Sequence, residues 1–207
     1  MSEKTTYAYH RPHPWHGLRP GSEAPNKVNV FVEMTPFDHV KYEIDKETGF
    51  IHVDRPQRTT AQMPRLYGVV PQTYCAERVC ALSPRSERGD KDPLDICVLS
   101  ERPVNRAEIT LRAWVVGGLQ MVDKGEADDK IIAILEGDFV HGHIRDIDDL
   151  PQIAIERIRH YFLTYKMKPG ETQPVEGVEP YGREHAFKVI EAAQEDYIRY
   201  FGDHPID

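Results

Sequence analysis

Basic charge is in short supply in this chain: 26 lysines and arginines stand against 34 aspartates and glutamates, a net charge of −8 over 207 residues. A nucleic-acid backbone binds through displaced counterions on a positive surface, so this balance argues against it as the main partner. Long apolar runs are missing. None reaches the length of a membrane span, and the N-terminus lacks the apolar core of a secretory leader. Cysteine is scarce and odd in number, and two of the three (Cys75, Cys80 and Cys97) border apolar runs. That argues against a disulfide framework and for reduced thiols in a cytoplasmic protein. There is neither an internal repeat nor a low-complexity tract. The length suits one well-buried core, so a single domain over 1–207 is expected, preceded by an arm at 1–25.

The arm carries His10, Arg11, Pro12, His13, Pro14, Trp15 and His16 without a period. Its prolines forbid the helix that would align the histidines, and no cysteine joins them. The segment therefore reads as a packed arm or a subunit contact rather than a metal site.

Beyond the arm, strands dominate. Val28, Val30, Val32 and Met34 alternate with Asn29, Phe31 and Glu33, which turns Glu33 away from the aliphatic row. Lys41, Glu43 and Asp45 share one face of the next strand, Lys46 to Gly49 is a turn, and Phe50 to Arg55 returns as its partner. Further strands are expected at 96–99, 109–116, 119–122 and 130–135. Two helices come late. One begins near Asp149-Pro151, with Asp149 as cap, and carries Ile155, Ile158, Phe162 and Tyr165. The other, about 183–201, carries Ala186, Ile190, Ala193, Tyr197 and Phe201. Strands first and helices last imply an α+β fold dominated by β, with a curled antiparallel sheet and peripheral C-terminal helices.

The densest chemistry lies at Asp90-Lys91-Asp92-Pro93-Leu94-Asp95. Pro93 pushes Asp92 towards extended backbone, which would project Asp90 and Asp92 together, and Asp95 opens an apolar strand. Carboxylates held this close repel unless a cation sits among them, and a hard divalent ion with oxygen ligands is the usual answer. A calcium-binding EF-hand loop does not fit, because Asp95 stands where such a loop needs glycine and no helices flank it. A second acidic loop, Asp123 to Lys130, joins two apolar strands and brings Asp123 and Asp128 near one another. Lys41 and Arg55 on paired strands, Lys130, and Tyr165-Lys166 supply cations and donors. Each alone is an ordinary solvated charge or core aromatic; around a metal cluster they make a site for a small polyanion.

The segment Asp90 to Asp95 resembles the signature of the soluble family I inorganic pyrophosphatases. Glu33, Lys41 to Gly49, Val53 to Pro56, Tyr67-Gly68, Met121 to Lys130 and His160 to Lys166 resemble other family segments in the same order, over about 28–168. The resemblance implies a closed five-stranded OB-type barrel with helices outside, and hydrolysis of pyrophosphate to two phosphates with several Mg²⁺ ions per site. It implies metal binding by Asp90, Asp95, Asp123, Asp128 and Glu33, with Asp92 as general base. Lys41, Arg55, Tyr67, Lys130, Tyr165 and Lys166 match the phosphate-binding side chains. A homo-oligomer is implied, while the charge, the cysteines and the lack of a long apolar run give the expectation of a cytoplasmic protein with no nucleic-acid or membrane partner.

Three departures accompany it. Lys91 places a cation inside the acidic loop, where it would compete with metal or point to solvent. Met63 replaces a tyrosine often found at the phosphate site. The stretch from Tyr67 to Asp90 is long, and with the arm is expected to alter subunit contacts. The rival readings are an OB-type nucleic-acid module, a metal-binding homologue with decayed catalysis, and a nucleotide pyrophosphatase.

Overall fold

In chain order the elements are β1 (Lys27–Met34), β2 (Val40–Ile44), β3 (Ile51–Pro56), β4 (Leu66–Val69), α1 (Glu77–Ala81), β5 (Arg88–Gly89) and β6 (Asp95–Leu99). Then come β7 (Thr110–Asp123), β8 (Glu126–Ala127), β9 (Lys130–Leu135), a 3₁₀ turn (Ile147–Asp149), α2 (Gln152–Thr164), β10 (Val175–Gly182) and α3 (Arg183–Phe201). The structure, a computed structural model, describes residues 11–167 and 175–202. The fold is mostly β with few helices.

β1 pairs antiparallel with both β4 and β7. β4 continues antiparallel to β6, β6 runs parallel to β9, and β9 pairs antiparallel with β7. β10 pairs with the C-terminal half of β7 on one edge, and the short β8, with β5 beyond it, pairs with the end of β7 on the opposite edge. β2 and β3 form a separate hairpin.

Alternation along these strands sorts the side chains into two apolar clusters. Val28, Val30, Val32, Ile96, Val98, Ile131 and Ala133 pack with Ala186, Val189, Ile190 and Ala193 of α3. Cys97, Leu99, Ile132 and Ile134 pack with Ile158, Tyr161, Phe162 and Tyr165 around α2. β6 and β9 are thus covered on both faces, which is why both read as unbroken apolar runs.

Several expectations are corrected. The row begun at Val28 ends at Val32, because a register shift before Met34 turns that side chain into the second cluster. The two strands expected at 109–116 and 119–122 are one, running through Gly117 and Gly118. Asp149 does not cap α2. Its carboxylate accepts from the amides of Arg145 and Asp146 and closes a capping box on the preceding turn, and α2 starts behind Pro151 without a side-chain cap. β4, α1, β5, β8 and β10 are additional. Of the arm, residues 1–10 lie outside the described residues. The remainder packs down: Trp15 is buried among Tyr74, Tyr197 and Phe201, and His16 Nδ1 lies 2.7 Å from the Tyr197 hydroxyl.

Candidate active site

A cavity of about 340 Å³ opens where the β2–β3 hairpin, the Asp90–Asp95 loop, the start of β9 and the end of α2 meet. Glu33, Lys41, Arg55, Tyr67, Asp90, Asp92, Asp95, Asp123, Asp128, Lys130, Tyr165 and Lys166 all line it.

The cationic wall comes from strand register. Lys41 and Arg55 are facing partners on β2 and β3. Like charges so placed repel, and Asp54 relieves them, contacting Arg55 and lying 3.5 Å from Lys41, which also contacts Glu43. Burial pushes the Lys41 ammonium below its usual range. Glu33 is 4% exposed and accepts the Ile44 amide at 2.8 Å. Burial, then the nearby Asp95, raises its carboxyl to about 8.

The signature loop is not extended throughout. Lys91 adopts φ +64°, a turn that points the chain back and leaves Lys91 exposed and off the cavity lining. It is therefore no internal competitor for metal. Asp90 Oδ1 accepts the Asp92 amide at 3.0 Å, and both carboxylates still reach the cavity. Burial, then Asp128, holds the Asp90 carboxyl well above the usual range. Asp92, half exposed, pairs with Lys46 from the hairpin turn.

Asp95 on β6 sits directly opposite Lys130 on β9. The Lys130 ammonium, 1% exposed, lies 2.5 Å from Asp95 Oδ2 and also contacts Asp128. Burial opposes that charge, but Asp128 and Asp95 outweigh it and lift the ammonium well above its usual range. The β7–β8 turn at Lys124-Gly125, both residues at positive φ, presents Asp123 to Lys166. Positive φ at both central residues is the mark of a tight hairpin turn. Tyr67 and Tyr165 are raised by burial first and by neighbouring carboxylates second, so both phenols remain protonated donors. Met63 is buried in the α2 cluster and takes no part in the cavity wall.

Glu43, Lys46, Asp54, Glu126 and Trp15 line the cavity without having been singled out as site residues. For Glu43 a signal existed, its shared face with Lys41. Lys46 and Trp15 arrive from a turn and an arm, which carry no period to read.

Among the described residues no three acidic, imidazole or thiol side chains form a ready cage for an ion. Lysine ammoniums stand between the carboxylates instead. Yet the wall holds nine acidic against five basic side chains, and Asp123 Oδ1 is buried with no hydrogen-bond partner. A buried carboxylate oxygen with no partner is costly. An all-oxygen donor set short of positive charge fits a hard divalent cation.

A β-core bearing a carboxylate-rich cleft, ringed by lysine, arginine and tyrosine, is the kind of site that suits a metal-dependent hydrolase of a small polyanion. A family model for inorganic pyrophosphatase matches residues 30–198. The chain is 44% identical to an inorganic pyrophosphatase of Chlamydia caviae over 97% of each chain, and 38% identical to soluble inorganic pyrophosphatase 3 of Arabidopsis thaliana over 91% of this chain and 80% of that one. The inorganic pyrophosphatase of Thermus thermophilus superposes with a TM-score of 0.75 at 30% identity, covering 90% of this chain and 99% of that one. The chain belongs to the inorganic pyrophosphatase family, a family of metal-dependent hydrolases. That membership leaves the reading of a nucleic-acid module without support. Among the described residues no helix is long and apolar enough to cross a membrane.

Proposed function

We propose that the cavity hydrolyses inorganic pyrophosphate to two phosphates, with Mg²⁺ as the metal. The observation that carries this reading is the convergence of cations, neutral phenols and under-neutralised carboxylates on one cavity, with Asp123 Oδ1 unpartnered. Asp90, Asp95, Asp123 and Asp128 would hold the ions, and Glu33 an ion arriving with the substrate. Bound there, Mg²⁺ supplies the positive charge that neutralises both phosphate groups and brings a water's pKa towards neutrality.

The side chains do the rest. Pyrophosphate has no carbon skeleton to grip, so its recognition is electrostatic. Lys41 and Arg55 face it from one wall, and Lys130, Lys166, Tyr67 and Tyr165 from the other, donating to phosphoryl oxygens. Asp92 accepts the proton of the attacking water while the water oxygen bonds to phosphorus and the bridging oxygen leaves with the second phosphate. The Lys46–Asp92 pair is solvent-exposed, with side chains 55% and 46% accessible. Such pairs contribute roughly 0–1 kcal/mol, so Asp92 is readily freed for this role.

The same reading takes the strand circuit β1–β4–β6–β9–β7–β1 as a closed OB-type barrel, supported by each of these strands having two neighbours within it. It takes the chain as one domain, as its length suggests, in the cytoplasm, as its few cysteines suggest, and as a homo-oligomer, which rests on the resemblance alone.

The test is phosphate release from pyrophosphate with Mg²⁺, with excess EDTA, and in Asp92→Asn. Release requiring metal and reduced about 10²- to 10⁴-fold in Asp92→Asn is expected. Full turnover in that variant would remove Asp92 from its role, and no release from folded, Mg²⁺-binding protein would overturn the substrate.

A further inference from the structure

The signature loop is strapped from behind by residues 70–75. The Val70 amide donates to the Leu94 carbonyl at 2.9 Å, the Lys91 amide to the Cys75 carbonyl at 3.0 Å, and the Cys75 amide to the Asp92 carbonyl at 2.9 Å. These straps are main chain to main chain and would survive most substitutions. One strap is a side chain. Thr73, 0% exposed, accepts the Leu94 amide on Oγ1 at 2.9 Å and donates the same hydroxyl to the Val70 carbonyl at 2.6 Å. Its own carbonyl accepts the Trp15 indole N–H at 2.8 Å, and Trp15 lines the cavity. The neighbouring Tyr74 amide donates to the Ala193 carbonyl of α3 at 2.9 Å, anchoring the strap to the core.

We infer that Thr73 is a positioning residue for the metal-binding carboxylates, fixing the Leu94 peptide between Asp92 and Asp95 so that both side chains are held at the cavity. The inference rests on the pyrophosphatase reading of that cavity. The physical reason is geometric. Leu94 is the one residue between Pro93 and Asp95, and its amide has no strand partner to fix it. Without the hydroxyl, the Leu94 N–H and the Val70 carbonyl both lose a buried partner, and the loop relaxes towards water to satisfy them. Groups that orient ligands from outside the immediate metal contacts cost about 10–100-fold in metal affinity or activity when removed.

The experiment compares wild type, Thr73→Val and Thr73→Ser by calorimetric titration of Mg²⁺ into substrate-free protein, and by kcat and KM for pyrophosphate. Thr73→Val, nearly isosteric, should bind Mg²⁺ about 10–100-fold more weakly and lose kcat with KM for pyrophosphate little changed, and Thr73→Ser should restore both. Mg²⁺ affinity and kcat within twofold of wild type in folded Thr73→Val would overturn the inference, as would a serine variant no better than valine. Should the valine variant fail to fold, Thr73→Cys takes its place, its thiol being a weak donor and acceptor, with the same expectations. If wild type binds Mg²⁺ but releases no phosphate, the proposed function fails, while the Mg²⁺ titrations still decide the role of Thr73.

Discussion

Glu33 is a carboxyl placed where a carboxylate is unwelcome: 4% exposed, one backbone amide for company, and Asp95 nearby. Its folded pKa of about 8 lies above the unfolded value of 4.5. Between those two pH values the metal-free folded state keeps a proton that the unfolded chain has released. The stability tied to that proton is complete below about pH 4.5 and is lost as pH rises through about 8. Metal-free protein should therefore melt at progressively lower temperature across that window, and Glu33→Gln should flatten the decline. A decline of equal slope in the variant would show that other groups carry it. At this scale the chemistry was legible in the chain, because Asp90 to Asp95 and Asp123 to Lys130 concentrate it into two short segments. Lys91 was legible only as a choice between two readings, a competitor for metal or a side chain in solvent; the structure, with φ +64° and the residue exposed, gives the second.

At the scale of elements, the close packing of β4 between β1 and β6 demands glycine at position 68. A Cβ there would stand 2.0 Å from the Phe31 carbonyl oxygen, an atom of the neighbouring strand that cannot swing aside. Gly68→Ala should lower stability by about 3 kcal/mol, the upper end of the cost of overpacking, read as a fall in the urea midpoint. Because Tyr67 precedes it on the same strand, turnover should fall as well; a midpoint equal to wild type would mean the strands separate at little expense. Strands with a clean alternation or an unbroken apolar run, β1, β6 and β9, could be read from the chain. β10 could not, since Gly177 and Pro180 interrupt its pattern and a register shift between Glu176 and Glu179 breaks its pairing. β7 was split for a related reason: Gly117 and Gly118 look like a break, yet they are where Tyr181 of β10 packs against the strand. Register is likewise invisible from one segment at a time, so Asp95 opposite Lys130 and Lys46 beside Asp92 had to await the fold.

For the whole molecule, the net charge of −8 gains meaning from where the acids collect. Nine of them face one cavity in which five basic side chains cannot balance them, and three of the carboxyls there, Glu33, Asp90 and Asp128, are held above their usual range with burial as the first cause. On the proposed metal reading, cations entering this cavity relieve its excess of negative charge, so metal binding and folding stability should be linked. One ion bound only by the folded state adds about 2.7 kcal/mol at a free concentration one hundred times its dissociation constant. For a chain of this size that corresponds to a rise of about 5–10 °C in Tm. Melting in Mg²⁺ and in sodium chloride of equal ionic strength separates site binding from general screening, which acts on exposed charges over about 10 Å at 0.1 M salt. The rise should belong to Mg²⁺, and Asp123→Asn, which removes the charge bearing the unpartnered buried oxygen, should reduce it. Equal rises in the two salts would mean that general screening, not a bound ion, relieves the acidic cavity, and the metal assignment of these carboxylates would fall with that result.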